Sequence, residues 1–286
     1  MYDESISLCF IIKDGASYLQ RNVVSILQLA ARFRDYRVNY VENDSTDGTK
    51  KILKEYETVN SRFRGMQLKL DGKHSTELCP PGAGDNCALR TNRLAFLRQR
   101  VLERALEYQS DVLVMLDMDF VSFDMNNFFR MYDHFLSDRQ MDGIFGMSVL
   151  KSNPKVPYDI GAIRPCTRLL NILSEITLVS VHSAFSGFGV YRTCSIRRTH
   201  ATYISPTSDI EHVHFNSSLD KLYVYPGFRP VYEGTSGLTS IFFFGNFVWL
   251  IVVLVIVPMI IICLLVFLVT FVVRRILNKN TKKIPQ

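Results

Sequence analysis

The run DVLVML at residues 111–116 constrains the fold more than any other feature. Its five consecutive apolar side chains, placed on a strand, alternate between the two faces, so both faces need cover. That is the condition of a parallel sheet packed between helices. The segments around it agree. Residues 7–12 (SLCFII) form an apolar run of β-formers. They are followed by the turn Lys13-Asp14-Gly15 and then by Leu19, Val23, Val24, Ile26, Leu27 and Leu29 at helical spacing. Residues 36–41 (YRVNYV) alternate as a second strand that ends in Glu42-Asn43-Asp44-Ser45, and residues 49–56 read as a helix. Residues 90–108 carry Leu94, Leu97, Val101, Leu102 and Leu106 as the apolar stripe of a long helix. Strands alternating with helices in this way predict an α/β fold with a mostly parallel sheet and helices on both faces. In such a fold ligands gather at the carboxyl ends of the strands. Lys13-Asp14, Glu42-Asn43-Asp44 and Asp117-Met118-Asp119 all fall at such ends.

The 286 residues divide unevenly. Residues 241–273 contain no charged side chain, whereas the preceding part has ordinary globular composition. The expected organisation is one domain over residues 1–235, a linker over 236–246, a membrane segment over 247–273 and a basic tail over 274–286. As a helix the uncharged block would measure about 50 Å against a hydrocarbon core of about 30 Å. A single tilted span fits, and so does a hairpin broken at Pro258. The net charge of +6 owes much to Arg274, Arg275, Lys279, Lys282 and Lys283 beyond the block, which leaves the domain almost neutral. A basic run beside a membrane segment reads as a topology signal or an anionic-lipid contact, so nucleic acid is not an expected partner. The chain start runs straight into a strand with no cleavable signal, which favours a cytosol-facing domain. The charges after the span favour the opposite arrangement. A cytosol-facing domain is the expectation, with the lumenal one left open. The six cysteines show no zinc-finger spacing, and Cys79 and Cys87 could be paired or free.

The sharpest chemical signal is LDMDF at residues 116–120, two carboxylates separated by one residue directly after the buried strand. A hard divalent cation such as Mn2+ or Mg2+ takes oxygen ligands of this kind, and a diphosphate completes its shell. Asp117 and Asp119 are therefore the expected metal ligands. His212 and His214 are candidates for an additional imidazole ligand, which suits manganese better than magnesium. Their alternation with Val213 also suits an edge strand. Arg90 and Arg93 open the long helix, where a diphosphate or a sugar is a natural contact.

The string VENDSTDGT at residues 41–49 resembles the strand-end signature of family 2-type glycosyltransferases, V-D-D-x-S-x-D-G-T, with Glu42 in place of the more usual Asp. Residues 9–19 (CFIIKDGASYL) resemble the opening strand of that family. The resemblance implies a GT-A fold, the nucleotide-diphospho-sugar transferase architecture. It also implies Lys13, Asp14, Glu42 and Asp44 beside the nucleoside, with Asp117 contacting donor as well as metal. Residues 183–192 (SAFSGFGVYR) resemble the small-residue segment under the donor sugar, where Ser186 and Gly187 would lie. Residues 208–216 (SDIEHVHFN) are similar to the segment that supplies a general base in inverting enzymes. They also resemble a segment of the fungal capsule-associated mannosyltransferases. Glu211 is the first candidate for that base and Asp209 the second.

The implied activity is metal-dependent hexosyl or pentosyl transfer from a UDP- or GDP-sugar to a glycan, glycoprotein or lipid. Two alternatives stand beside it. One is a nucleotidyltransferase of similar architecture, although Lys-Asp-Gly-Ala is poor in glycine for a triphosphate loop. The other is a non-catalytic, membrane-anchored nucleotide-sugar-binding protein, which would not need both acidic ligands.

Overall fold

The computed structural model describes residues 1–70, 89–165, 177–205 and 210–233. The chain begins with β1 (Tyr2–Ile12), α1 (Ala16–Ala30), β2 (Phe33–Asn43), α2 (Thr49–Val59) and β3 (Phe63–Leu68). It continues through α3 (Leu89–Glu107), β4 (Val112–Asp117), β5 (Phe120–Ser122), α4 (Met125–Ser137), β6 (Gly143–Gly146), β7 (Val149–Leu150) and β8 (Asn153–Pro157). After these come β9 (Val179–Val181), β10 (Phe188–Arg192), α5 (Thr193–Thr199), α6 (Glu211–Asn216), β11 (Leu222–Tyr225) and β12 (Val231–Tyr232).

The main sheet has the order β3-β2-β1-β4-β10-β6-β11-β9, and a smaller sheet has the order β5-β12-β7-β8. β4 is buried on both faces, as its sequence requires. Val112, Val114 and Leu116 join α1 and α4 through Leu19, Val23, Ile26, Phe128, Met131 and Tyr132. Leu113 and Met115 join α3, α5 and α6 through Leu97, Val101, Leu102, Ile196 and Phe215. Helices therefore cover both faces, and each buried Leu, Val or Phe contributes about 1.5–3 kcal/mol on leaving water.

The strands extend beyond their apolar runs. β1 begins at Tyr2, because the Ser5 N–H and hydroxyl both donate to the Asp111 carboxylate at 2.8 Å and tie its early half to the entry of β4.

The main sheet is mostly parallel, as expected: six of its eight strands, β6 and β11 among them, run in one direction, and β10 and β9 are reversed. β3, β2, β1 and β4 are parallel, but β10 runs antiparallel between β4 and β6, and β9 runs antiparallel to β11. The reversal positions the site. Phe188 at the start of β10 lies opposite Leu116 near the end of β4, so the Ser186-Gly187 turn arrives at the carboxyl edge. Among the described residues no helix is long and apolar enough to cross a membrane. The block at 247–273 expected to do so lies outside them, as do Cys79 and Cys87.

Asp142 fixes the far half of the sheet. Its carboxylate accepts from the N–H groups of Asp220 and Lys221 at 2.9 and 3.2 Å, and Arg198 pairs with it at 3.0 Å. Burial would raise its pKa, but the Ser195 hydroxyl, those two N–H groups and Arg198 together hold it below the ordinary 3.8. A depressed carboxylate stabilises the fold above its unfolded-state pKa, and that stability is lost as the pH falls through the folded value. Asp142→Asn is expected to lower stability near neutrality and to flatten the acid limb below about pH 4, as read by urea denaturation across pH 3–7. An unchanged acid limb would count against this role.

Candidate active site

Two loops at the carboxyl edge are joined by a set of short hydrogen bonds. The Asp14 N–H donates to the Ser45 hydroxyl at 2.9 Å, and the Thr46 N–H returns to Asp14 Oδ1 at 2.7 Å. The Gly15 N–H reaches the Thr49 hydroxyl at 2.7 Å, and the Ala16 N–H reaches Asp47 Oδ2 at 2.9 Å. The STDGT part of the signature thus holds the β1–α1 and β2–α2 loops together and supplies acceptors for the exposed N–H groups at the start of α1.

Glu42 and Asp44 also serve the backbone. Glu42 Oε1 accepts from the Ser45 N–H at 2.7 Å, and the Asp44 carboxylate accepts from the Leu70 N–H at 3.1 Å. Glu42 has no solvent exposure, and its Oε2 accepts no hydrogen bond from the described residues. The family resemblance implies Glu42 beside the nucleoside. The structure turns it inward, because the tight turn after β2 needs an acceptor beneath it. Lys13 and Asp14 remain exposed at the edge.

The acidic pair lies where β4 ends. Asp117 is largely covered, with 19% of its side chain accessible, while Asp119 is exposed. The turn between them is clamped from α1. Asn22, fully buried, donates through Nδ2 to the carbonyls of Met118 at 2.6 Å and Phe120 at 2.7 Å. From the other side the Asp117 N–H bonds the Gly187 carbonyl at 2.9 Å. Ser186 and Gly187 both take positive φ, 52° and 74°. The Ser186 hydroxyl accepts from the Ser148 N–H at 2.9 Å. Tyr158 and Tyr232 stack at 4.1 Å beside Asp117. Burial, and then Asp117 and Asp119, push the Tyr158 hydroxyl far above its ordinary pKa.

Behind Asp117 stands Arg98, which the sequence reading did not single out. It is 5% exposed, and its guanidinium bridges two carboxylates. Nη2 donates to Asp117 Oδ1 at 2.7 Å, and Nη1 donates to Glu211 Oε1. Its flat face rests on the Phe185 ring at 4.9 Å. Removing one partner from a buried network of this kind costs about 3–5 kcal/mol.

His212 also stacks on the Phe185 ring, with ring centroids 3.5 Å apart. Burial, reinforced by Arg98, holds its pKa well below 6.5, so the ring is neutral. The segment containing His212 and His214 is helical in α6, where an edge strand was one expectation. Among the described residues no three His, Cys, Asp or Glu side chains gather as a metal set. The imidazole ligation expected of His212 and His214 is therefore not assembled around Asp117 and Asp119. The pair of carboxylates still fits a hard divalent cation whose other positions fall to diphosphate and water. Arg93 is half-buried on α3, and its Nε donates to no acceptor among the described residues. Arg90 opens that helix. Asp209 lies outside the described residues.

Two residues central to the site left a signal that was not read. Arg98 interrupts the stripe Ala95, Leu97, Val101, Leu102 and Ala105, and Asn22 interrupts Leu19, Val23 and Ile26. A polar group at a core-facing helical position implies a buried partner.

No family model and no curated protein matches the sequence. The fold is similar to that of the mannosyltransferase PcManGT from Pyrobaculum calidifontis, solved in complex with GDP-Man and Mn2+. The identity is 11% and the TM-score 0.50, over 84% of this chain and 60% of that one. Residues 1–349 of TarS from S. aureus in complex with UDP-GlcNAc give 12% identity and a TM-score of 0.49, over 82% of this chain and 61% of that one. The chain thus spans about 60% of the mannosyltransferase's length, and the likeness establishes a shared fold.

Asn22→Leu keeps the size of the side chain but removes the donor from two carbonyls. It is expected to cost about 1–3 kcal/mol in urea denaturation. An unchanged midpoint would show that the turn between Asp117 and Asp119 holds without the clamp.

Proposed function

We propose that this chain is a nucleotide-sugar-dependent glycosyltransferase, moving a hexosyl or pentosyl group to a hydroxyl of a glycan, glycoprotein or lipid. The carrying observation is the position of Asp117 and Asp119 at the carboxyl end of the central strand, with Asp117 joined through Arg98 to Glu211. The shared fold supports the reading, since the mannosyltransferase with that fold was solved with GDP-Man and Mn2+. GDP-mannose, bound to that mannosyltransferase, is the first donor to try.

In this reading the donor enters over the carboxyl edge. Asp117 and Asp119 hold Mn2+ or Mg2+, which when bound offsets charge on the leaving diphosphate. Lys13, exposed at the end of β1, offers a positive charge to the nucleotide, with Asp14 and Asp44 shaping the loops beside it. Arg90 and Arg93 lie at the start of α3, within the segment assigned to diphosphate or sugar. Ser186 and Gly187 provide a close backbone floor for the sugar.

In an inverting displacement the acceptor hydroxyl gives its proton to a carboxylate. Its oxygen bonds the anomeric carbon, and the bond from that carbon to the diphosphate breaks with the electron pair leaving on the nucleotide. Glu211 is assigned this base role, with Asp209 second. The uncharged segment 247–273 is assigned to the membrane, as one span or a hairpin, which would keep the domain beside a lipid-linked or membrane-borne acceptor.

Asp119→Asn is expected to abolish transfer and manganese-dependent stabilisation by GDP-mannose or a UDP-sugar, with the fold intact by circular dichroism. Full turnover in this variant would remove the metal assignment. Glu211→Gln is expected to cut turnover by about a hundredfold to ten-thousandfold, more than Asp209→Asn. A reversed order moves the base to Asp209. Near-normal rates in both variants, or a product with retained anomeric configuration, would reject the inverting mechanism.

A further inference from the structure

We propose that Arg98 is a positioning residue that competes with the divalent cation for Asp117, so that the site holds bare metal weakly until the cation takes that oxygen. The inference rests on the reading above that the cation is held by Asp117 and Asp119. Asp117 Oδ1 is engaged by Arg98 Nη2 at 2.7 Å, and among the described residues Asp117 Oδ2 has the long 3.5 Å contact from the Tyr158 hydroxyl. The side of the carboxylate facing Arg98 is therefore committed to a guanidinium. Arg98 cannot simply swing into solvent. It is 5% exposed, its Nη1 donates to Glu211, and Phe185 packs against the guanidinium. A guanidinium stays charged in proteins, so the cation meets a fixed positive group on its own ligand.

The same arrangement gives Arg98 a second effect. Because one guanidinium joins Asp117 to Glu211, a cation that draws Asp117 away loosens the tether on Glu211. Metal arrival is thus coupled to the freedom of the proposed base. Two sites that share a connecting group influence each other reciprocally.

The test uses the full chain and measures Mn2+ binding by electron paramagnetic resonance, with and without UDP or GDP. Arg98→Gln is expected to bind bare Mn2+ at least tenfold more tightly than the parent, and Arg98→Lys, which keeps the charge, much less so. Since Arg98→Gln leaves Glu211 buried without its partner, the double variant Arg98→Gln/Glu211→Gln is measured beside it. It is expected to show the same direction of change, by several-fold or more. A merely structural Arg98 would leave manganese affinity unchanged or weaken it, and either result in both variants overturns the competition. If manganese binds the parent but its affinity does not respond to Arg98, this inference falls and the metal assignment stands. If no protein binds manganese, even with UDP or GDP, the metal assignment falls and takes the inference with it.

Discussion

A guanidinium withdrawn from water must find acceptors inside the protein, and Arg98 finds them on two elements distant in sequence. Burial works against its charge, but Asp117 and Glu211 more than offset that and favour the charged form. Desolvation of each ion in such a group costs several kcal/mol, repaid only when geometry is good and the remaining donors are satisfied. The arrangement therefore dictates the neighbourhood. α3 must present residue 98 toward β4, β4 must end where Asp117 can meet it, and α6 must open with Glu211 facing inward. Phe185 fills the space over the guanidinium and in turn fixes the ring of His212. The cluster that links three elements is the same one that would bind a cation and take a proton.

The second constraint is backbone conformation at the carboxyl edge. Asp14 and Asp44 both adopt left-handed φ, 49° and 52°, immediately after β1 and β2. Aspartate tolerates that region better than most residues, since its short side chain can bond locally. Here the carboxylates reach further, accepting from backbone N–H groups distant in the chain, Asp14 from Thr46 and Asp44 from Leu70. A string read from sequence as nucleoside-contacting is, in the folded chain, first a means of shaping two loops. The roles are compatible for Asp14, which remains exposed, and much less so for Glu42, which is sealed beneath the Ser45 turn.

The sequence was legible where one period dominated. The run 111–116, apolar at every position from Val112, could only be a strand covered on both faces, and the stripe Leu97, Val101, Leu102 could only be a packed helix. The acidic strand ends followed from those assignments. What escaped had a different physical origin. The antiparallel entry of β10 depends on long-range pairing with Leu116 and Ile144, which no local period encodes. Residues 212–214 alternate polar and apolar, yet they form a helix, because Phe215 has to reach Tyr203 and Tyr191 in the core. Arg98 and Asn22 each looked like a blemish on an amphipathic face, and each becomes intelligible only when its acceptors on other elements are known.

The reversal at β10 explains why the carboxyl edge holds one compact site. A parallel strand beside β4 would bring only its own carboxyl end to this edge. The antiparallel strand instead brings the turn before it, and that turn must pass beneath Tyr232. Gly187 is the residue that permits the passage. Its φ of 74° lies in the left-handed region, and a Cβ there would stand 2.5 Å from the Tyr232 hydroxyl. That hydroxyl donates to the Gly187 carbonyl at 2.9 Å and lies 3.3 Å from the carbonyl of Asp117. A side chain at 187 would separate the turn from Tyr232 and loosen the backbone bond from Asp117. The position of the acidic pair thus depends on an absent methyl group as much as on any attraction.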